Sequence, residues 1–216
     1  MGGNWMRRGT GSKIGFILFG LILFLTSGSS FYYSNRAYLN TVQIRKEQLK
    51  KVSFLDRNEL NRIVYRMALT SSRKEVSAFF DEYTKDRLVT EAILSAAIIN
   101  DTPIMISFAL VWKESQFDQH AVGKNAKSAD YGLWQLNSLT FYKLSKKQMF
   151  DPMTNSKLGA EYLRKKYDEH LRWEKALLAY NCGGISKVPE TSINYLCDVL
   201  KLEEDISLDF IQRFLA

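Results

Sequence analysis

Residues 108–117, FALVWKESQF, end an apolar run in a carboxylate and a hydroxyl, Glu114 and Ser115. The run follows DTP (101–103), where Thr102 suits a helix N-cap and Pro103 the first helical position, so a helix is expected to start there. From Ile104 to Trp112 almost no polar residue falls on any side, which marks a central helix with neighbours all round. Glu114 lies in its last turn, on the face that carries Ser107, Leu110 and Val111. Burial and the negative end of the helix dipole both disfavour a charged carboxylate, so its pKa is expected to rise. A carboxylic acid kept protonated near neutral pH is what a general acid needs, and cleavage of a glycosidic bond begins with one. Taken alone, the same helix also fits an ordinary surface glutamate at a frayed end.

A length of 216 residues accommodates one domain of about 100–200 residues and some additional chain. A hydrophobic content of 46%, only three prolines and regular apolar spacing point to an all-α globular fold. The net charge of +7 is unevenly spread: residues 1–90 hold 15 of the 30 Lys+Arg but only 7 of the 23 Asp+Glu. The basic excess is therefore N-terminal. No nucleic-acid recognition motif accompanies it, so nucleic acid is not an expected partner. Two histidines and two cysteines, His120, His170, Cys182 and Cys197, make no metal-ligand spacing, and no Walker, dinucleotide or nucleophile-elbow motif occurs. No metal or cofactor is expected. Cys182 and Cys197 fit a disulfide in an exported domain or a pair of buried thiols, and both readings stay open.

Arg7, Arg8 and Lys13 precede IGFILFGLILFL (14–25), and no further charge appears before Arg36. This reads as a membrane-targeting segment. The 12-residue apolar core suits a signal peptide, whereas the full uncharged stretch, with Phe31, Tyr32 and Tyr33 at its end, is long enough for an uncleaved anchor, the reading favoured here. Beyond it, Tyr38, Val42, Leu49 and Val52 form a stalk-like stripe. Amphipathic helices are expected from about Asp56 to Leu69, from a capping box at Ser72 and Glu75, and from Asp86 to Asn100. The chain is thus divided into residues 1–34 (anchor or signal), 35–85 (helical stalk and packing helices) and 86–216 (catalytic domain). Ile206, Phe210, Ile211 and Phe214 mark a last packing helix.

Downstream of Glu114–Ser115 come YGLWQLNSLT (131–140), NSKLGAEYL (155–163), ALLAYNCGG (176–184) and KVPETSINYLCDVL (187–200). In this order and spacing they resemble the lytic transglycosylases with the lysozyme-like fold, over about Asp86 to Leu200. The resemblance implies an enzyme that cuts the β-1,4 bond between N-acetylmuramic acid and N-acetylglucosamine in peptidoglycan and leaves 1,6-anhydro ends. It makes Glu114 the single catalytic acid/base, Ser115 a neighbour that helps hold it, and Gln135 a substrate ligand in the groove. Tyr180 would set its hydroxyl beside the carboxylate, and Asn181 would fix the local backbone. It also implies glycan strands as partner, a cell-envelope location outside the cytoplasmic membrane, and service either in general wall turnover or in one envelope apparatus. Trp134 stands where the family usually has Met, and is expected to widen the groove wall and offer a sugar-stacking surface. Asp130 replaces a small residue. With Asp118 it raises the alternative of a hydrolase in which a second carboxylate activates water. A non-catalytic wall-binding scaffold is the further alternative.

Overall fold

Asp86 opens a helix by accepting hydrogen bonds from the backbone N–H groups of Leu88 and Val89, and this capped helix forms one side of the core. The computed structural model describes residues 57–215, which contain eight helices and a small sheet. The helices are α1 (Arg57–Leu69), α2 (Arg73–Thr84), α3 (Arg87–Ile99), α4 (Ile104–Ser115), α5 (Lys146–Phe150), α6 (Pro152–His170), α7 (Trp173–Cys182) and α8 (Glu190–Phe214). Strands β1 (Val122–Lys124), β2 (Ala129–Tyr131) and β3 (Leu136–Asn137) form an antiparallel meander between α4 and α5. The proposed membrane segment and the stalk stripe lie outside the described residues, within which no helix is long and apolar enough to cross a membrane.

The apolar run is central, as its composition requires. Every residue from Ile104 to Val111 is buried, with α1, α3 and α8 packed around it. Phe80 of α2 stacks on Phe108 with ring centroids 3.7 Å apart, while Phe79 meets Phe210 of α8 edge to face at 5.2 Å. The faces of α1 and α2 are therefore partnered within the chain. Polar ties close the same junction: Tyr83 donates to Asp209 at 2.6 Å, and Arg57 pairs with the buried Glu203 at 3.0 Å.

Local expectations need three corrections. Ser72 precedes α2 but makes no side-chain capping bond, so the capping box is absent. The N-cap of α4 is Pro103 rather than Thr102, because Asn61 of α1 accepts the Ile104 N–H and the Thr102 hydroxyl pairs with Ser107 instead. The sheet leaves no mark in the sequence pattern. Its strands hold two or three residues each, too few for a period-2 pattern to register.

Candidate active site

Ser115 turns back on its own helix. Its hydroxyl donates to the Val111 carbonyl at 3.2 Å, and Gln116 and Phe117 then both adopt left-handed φ values, 53° and 65°. Such conformations cost a non-glycine residue about 1 kcal/mol or more each. Burial of Phe117, edge-on to Phe108 at 6.3 Å, offsets that cost and locks the helix end. Glu114, one residue earlier, is thereby held at the edge of a groove of about 450 Å³, whose other walls come from the sheet, α6 and α7.

The opposite wall depends on one buried asparagine. Asn155, in the second turn of α6, accepts from the Trp134 N–H at 2.8 Å and donates to the carbonyls of Tyr131 at 2.8 Å and Met149 at 2.6 Å. These bonds fix the Gly132–Gln135 turn, where Gly132 has φ 75° and Gln135 has φ 46°. Any Cβ at Gly132 would sit 2.5 Å from both the Asn155 amide nitrogen and the Met149 carbonyl oxygen. One turn further along α6, Gly159 lets the Trp134 side chain lie against the helix backbone, since a Cβ there would come within 2.3 Å of it. Trp134 is fully buried, so the expected sugar-stacking surface is corrected: a ring sealed under the groove by Gly159 cannot meet a ligand. Gln135 does line the groove, its amide donating to the Gly132 and Ala121 carbonyls at 2.9 and 3.2 Å.

From the far side, Tyr195 of α8 donates a short hydrogen bond to the Glu114 carboxylate. Tyr180 also lines the groove, but its hydroxyl donates to the Trp134 carbonyl at 2.7 Å rather than to Glu114. The expected contact is therefore made by a different tyrosine. Asn181 accepts from Ser192 at 2.6 Å and so ties the end of α7 to the first turn of α8. Cys182 and Cys197 are free thiols, with Cys182 bonded to the Leu178 and Gly184 carbonyls.

The electrostatics follow from these contacts. Burial is the largest influence on Glu114 and pushes its pKa up to about 7; the Tyr195 hydrogen bond opposes this, the Asp130 charge reinforces it, and Lys113 opposes it weakly. Lys113 is itself paired with Asp198 at 2.7 Å. Burial and the nearby Glu114 charge hold both Tyr180 and Tyr195 well above the usual phenol range, so both remain neutral donors. Asp130 lies in the same groove, its two carboxylate oxygens each accepting from an asparagine amide, Asn125 and Asn137, at 2.7 Å. Asp118 is exposed and accepts from the His120 N–H at 2.8 Å, outside the residues that line the groove.

The structure thus brings Glu114, Gln135, Tyr180, Asn181 and the candidate second carboxylate Asp130 to one groove, leaves Ser115 behind the helix end and Trp134 beneath the floor, and adds Tyr195 as the hydrogen-bond donor to Glu114. Residues 91–194 match the family model described as the transglycosylase SLT domain. No curated protein and no solved structure matches the chain.

Proposed function

We propose that this chain, whose residues 91–194 match the transglycosylase SLT domain, is a lytic transglycosylase in which Glu114 alone moves the proton. Enzymes of this family act on peptidoglycan in the cell envelope. The observation that carries the finer reading is the position of Glu114, which lines the groove and accepts a hydrogen bond from neutral Tyr195, where burial pushes its pKa up to about 7. Protonated Glu114 donates to the oxygen that links muramic acid C1 to the next sugar. The C1–O bond breaks while the substrate's own N-acetyl oxygen attacks C1. The resulting carboxylate takes the proton of the C6 hydroxyl, whose oxygen then displaces the N-acetyl group and closes a 1,6-anhydro ring. No water is consumed. Gln135 and Asn181 supply neutral amides toward sugar hydroxyl and N-acetyl groups, and Tyr180 buttresses the groove wall.

A single observation favours a second reading, hydrolysis: Asp130 faces the same groove and carries a charge that acts on Glu114. The transglycosylase reading is preferred because both Asp130 oxygens are engaged by asparagines that hold the hairpin together. Residues 14–34 fit an anchor or signal that delivers the domain to the outer side of the cytoplasmic membrane. A topology reporter fused after Ala216 should be active there.

Glu114→Gln keeps the side chain's shape and the acceptor for Tyr195 but removes the transferable proton. Solubilisation of purified sacculi should fall by about 10²–10⁴-fold, the usual scale of general acid–base catalysis, while the circular dichroism stays that of the parent. A folded variant with undiminished rate would refute the assignment.

A further inference from the structure

The lobe between α4 and α6 differs in charge from the rest of the described surface. Val122–Phe150 contains five lysines, Lys124, Lys127, Lys143, Lys146 and Lys147, against one carboxylate, Asp130. All five are exposed, and none takes an ion pair among the described residues. Asp130 does not neutralise them, because it is turned into the groove and held by Asn125 and Asn137. Elsewhere acidic partners are plentiful: Arg57, Arg73, Arg87, Lys113, Arg164 and Arg213 are each paired with a carboxylate.

These lysines flank the residues that line the groove. Lys124 and Lys127 bracket Asn125 in the β1–β2 turn, and Lys143 follows Thr140 and Phe141 by only a few residues. Lys146 stands over the Tyr131 ring at 5.8 Å from its centroid. Exposed apolar groups are interspersed with them: Leu139 is 63% and Tyr142 72% accessible. A solvated basic face needs no such apolar groups. A surface that alternates ammonium groups with apolar patches suits a short peptide bearing free carboxylates and small methyl side chains. Peptidoglycan carries peptides of that chemistry on the lactyl group of its muramic acid.

We infer that the Lys124–Lys147 lobe is a recognition surface for the acidic stem peptides of the glycan strand, selecting peptide-bearing over stripped strands. This rests on the transglycosylase reading for the identity of the substrate. Exposed ion pairs each contribute modestly and are screened by salt, so several acting together give a preference of about tenfold at low ionic strength.

The test uses the full chain, with uncross-linked strands prepared from sacculi either with their peptides or after amidase removal of them. The wild type should show a kcat/KM about tenfold higher on peptide-bearing strands, a ratio that shrinks as salt is raised. Combining Lys124→Gln, Lys127→Gln, Lys143→Gln and Lys146→Gln should bring that ratio close to one, with unchanged circular dichroism. Equal rates on the two substrates in the wild type, or a ratio that the fourfold variant retains, would overturn the inference. So would loss of binding by this variant to anionic phospholipid vesicles with the strand preference intact, since the lysines would then serve a membrane. Co-sedimentation with the same strands, run on Glu114→Gln to prevent turnover, separates the two claims. If neither strand is cleaved by the wild type, the enzymatic reading fails, and lysine-dependent sedimentation with peptide-bearing strands alone still decides for or against the surface.

Discussion

Tyr195 of α8 donates a hydrogen bond to Glu114 of α4 across a separation of 81 residues, and this contact sets the acid's poise between burial and stabilisation of its charge. Burial favours the protonated acid that the first step of the proposed mechanism needs. The phenol favours the carboxylate that its second step needs. Because Tyr195 is itself held neutral, it can donate throughout the cycle.

Removing that donor has a defined direction. Tyr195→Phe takes away an interaction that lowers the Glu114 pKa, so the alkaline limb of the pH–rate profile should move to higher pH. The maximal rate should drop by about tenfold, the cost of one hydrogen bond to a charged group. A purely structural role for Tyr195 would lower the rate without moving the limb.

Stability should follow pH through the same carboxyl group. Its folded pKa, about 7, lies above the ordinary value of 4.5, so the folded state retains a proton that the unfolded chain has released. The associated stability is complete below about 4.5 and is lost as pH rises through about 7. Glu114→Gln has no such loss. Relative to the wild type it should gain up to about 3 kcal/mol between pH 4 and pH 8.5, read as the difference in urea midpoints at each pH.

Packing beneath the groove gives a test that is independent of chemistry. Gly159→Ala would drive a methyl to 2.3–2.5 Å from Trp134, whereas at Gly184 the same methyl meets nothing within 4 Å. The first substitution should destabilise by roughly 1–3 kcal/mol or more and loosen the Gly132–Gln135 turn. The second should change stability by no more than about 0.5 kcal/mol. Paired thermal melts check both.

Much of this site was readable from residue order. The apolar helix ending in Glu114, the Gln135 turn and the Tyr180–Asn181 helix end were all visible as motifs, and all three reach the groove. Lateral relationships were harder to read. Trp134 looks like a groove residue until Gly159, on a different helix, is seen to admit it to the core. Asn155 opens the NSKLGAEYL motif, but the motif does not tell that it is fully buried and satisfies three backbone groups. Tyr195 did leave a signal: Ser192, Tyr195 and Val199 share the buried face of α8, and a phenol on a buried face needs a polar partner. Which partner depends on how α8 crosses α4, and local periodicity does not carry that information.

Asp130 separates the two enzymatic readings. Its charge raises the Glu114 pKa, so Asp130→Asn should move the alkaline limb to lower pH. In a transglycosylase the product stays the same. In a hydrolase that uses Asp130 to activate water, the substitution should cost as much as the loss of Glu114.

The central claim is that one carboxyl group carries out both proton transfers and no water enters. Mass spectrometry of muropeptides released from purified sacculi by the wild-type chain tests it most directly. The account predicts non-reducing fragments ending in 1,6-anhydro-muramic acid. Predominantly reducing fragments, heavier by the mass of one water, about 18 Da, would contradict it and make the enzyme a hydrolase.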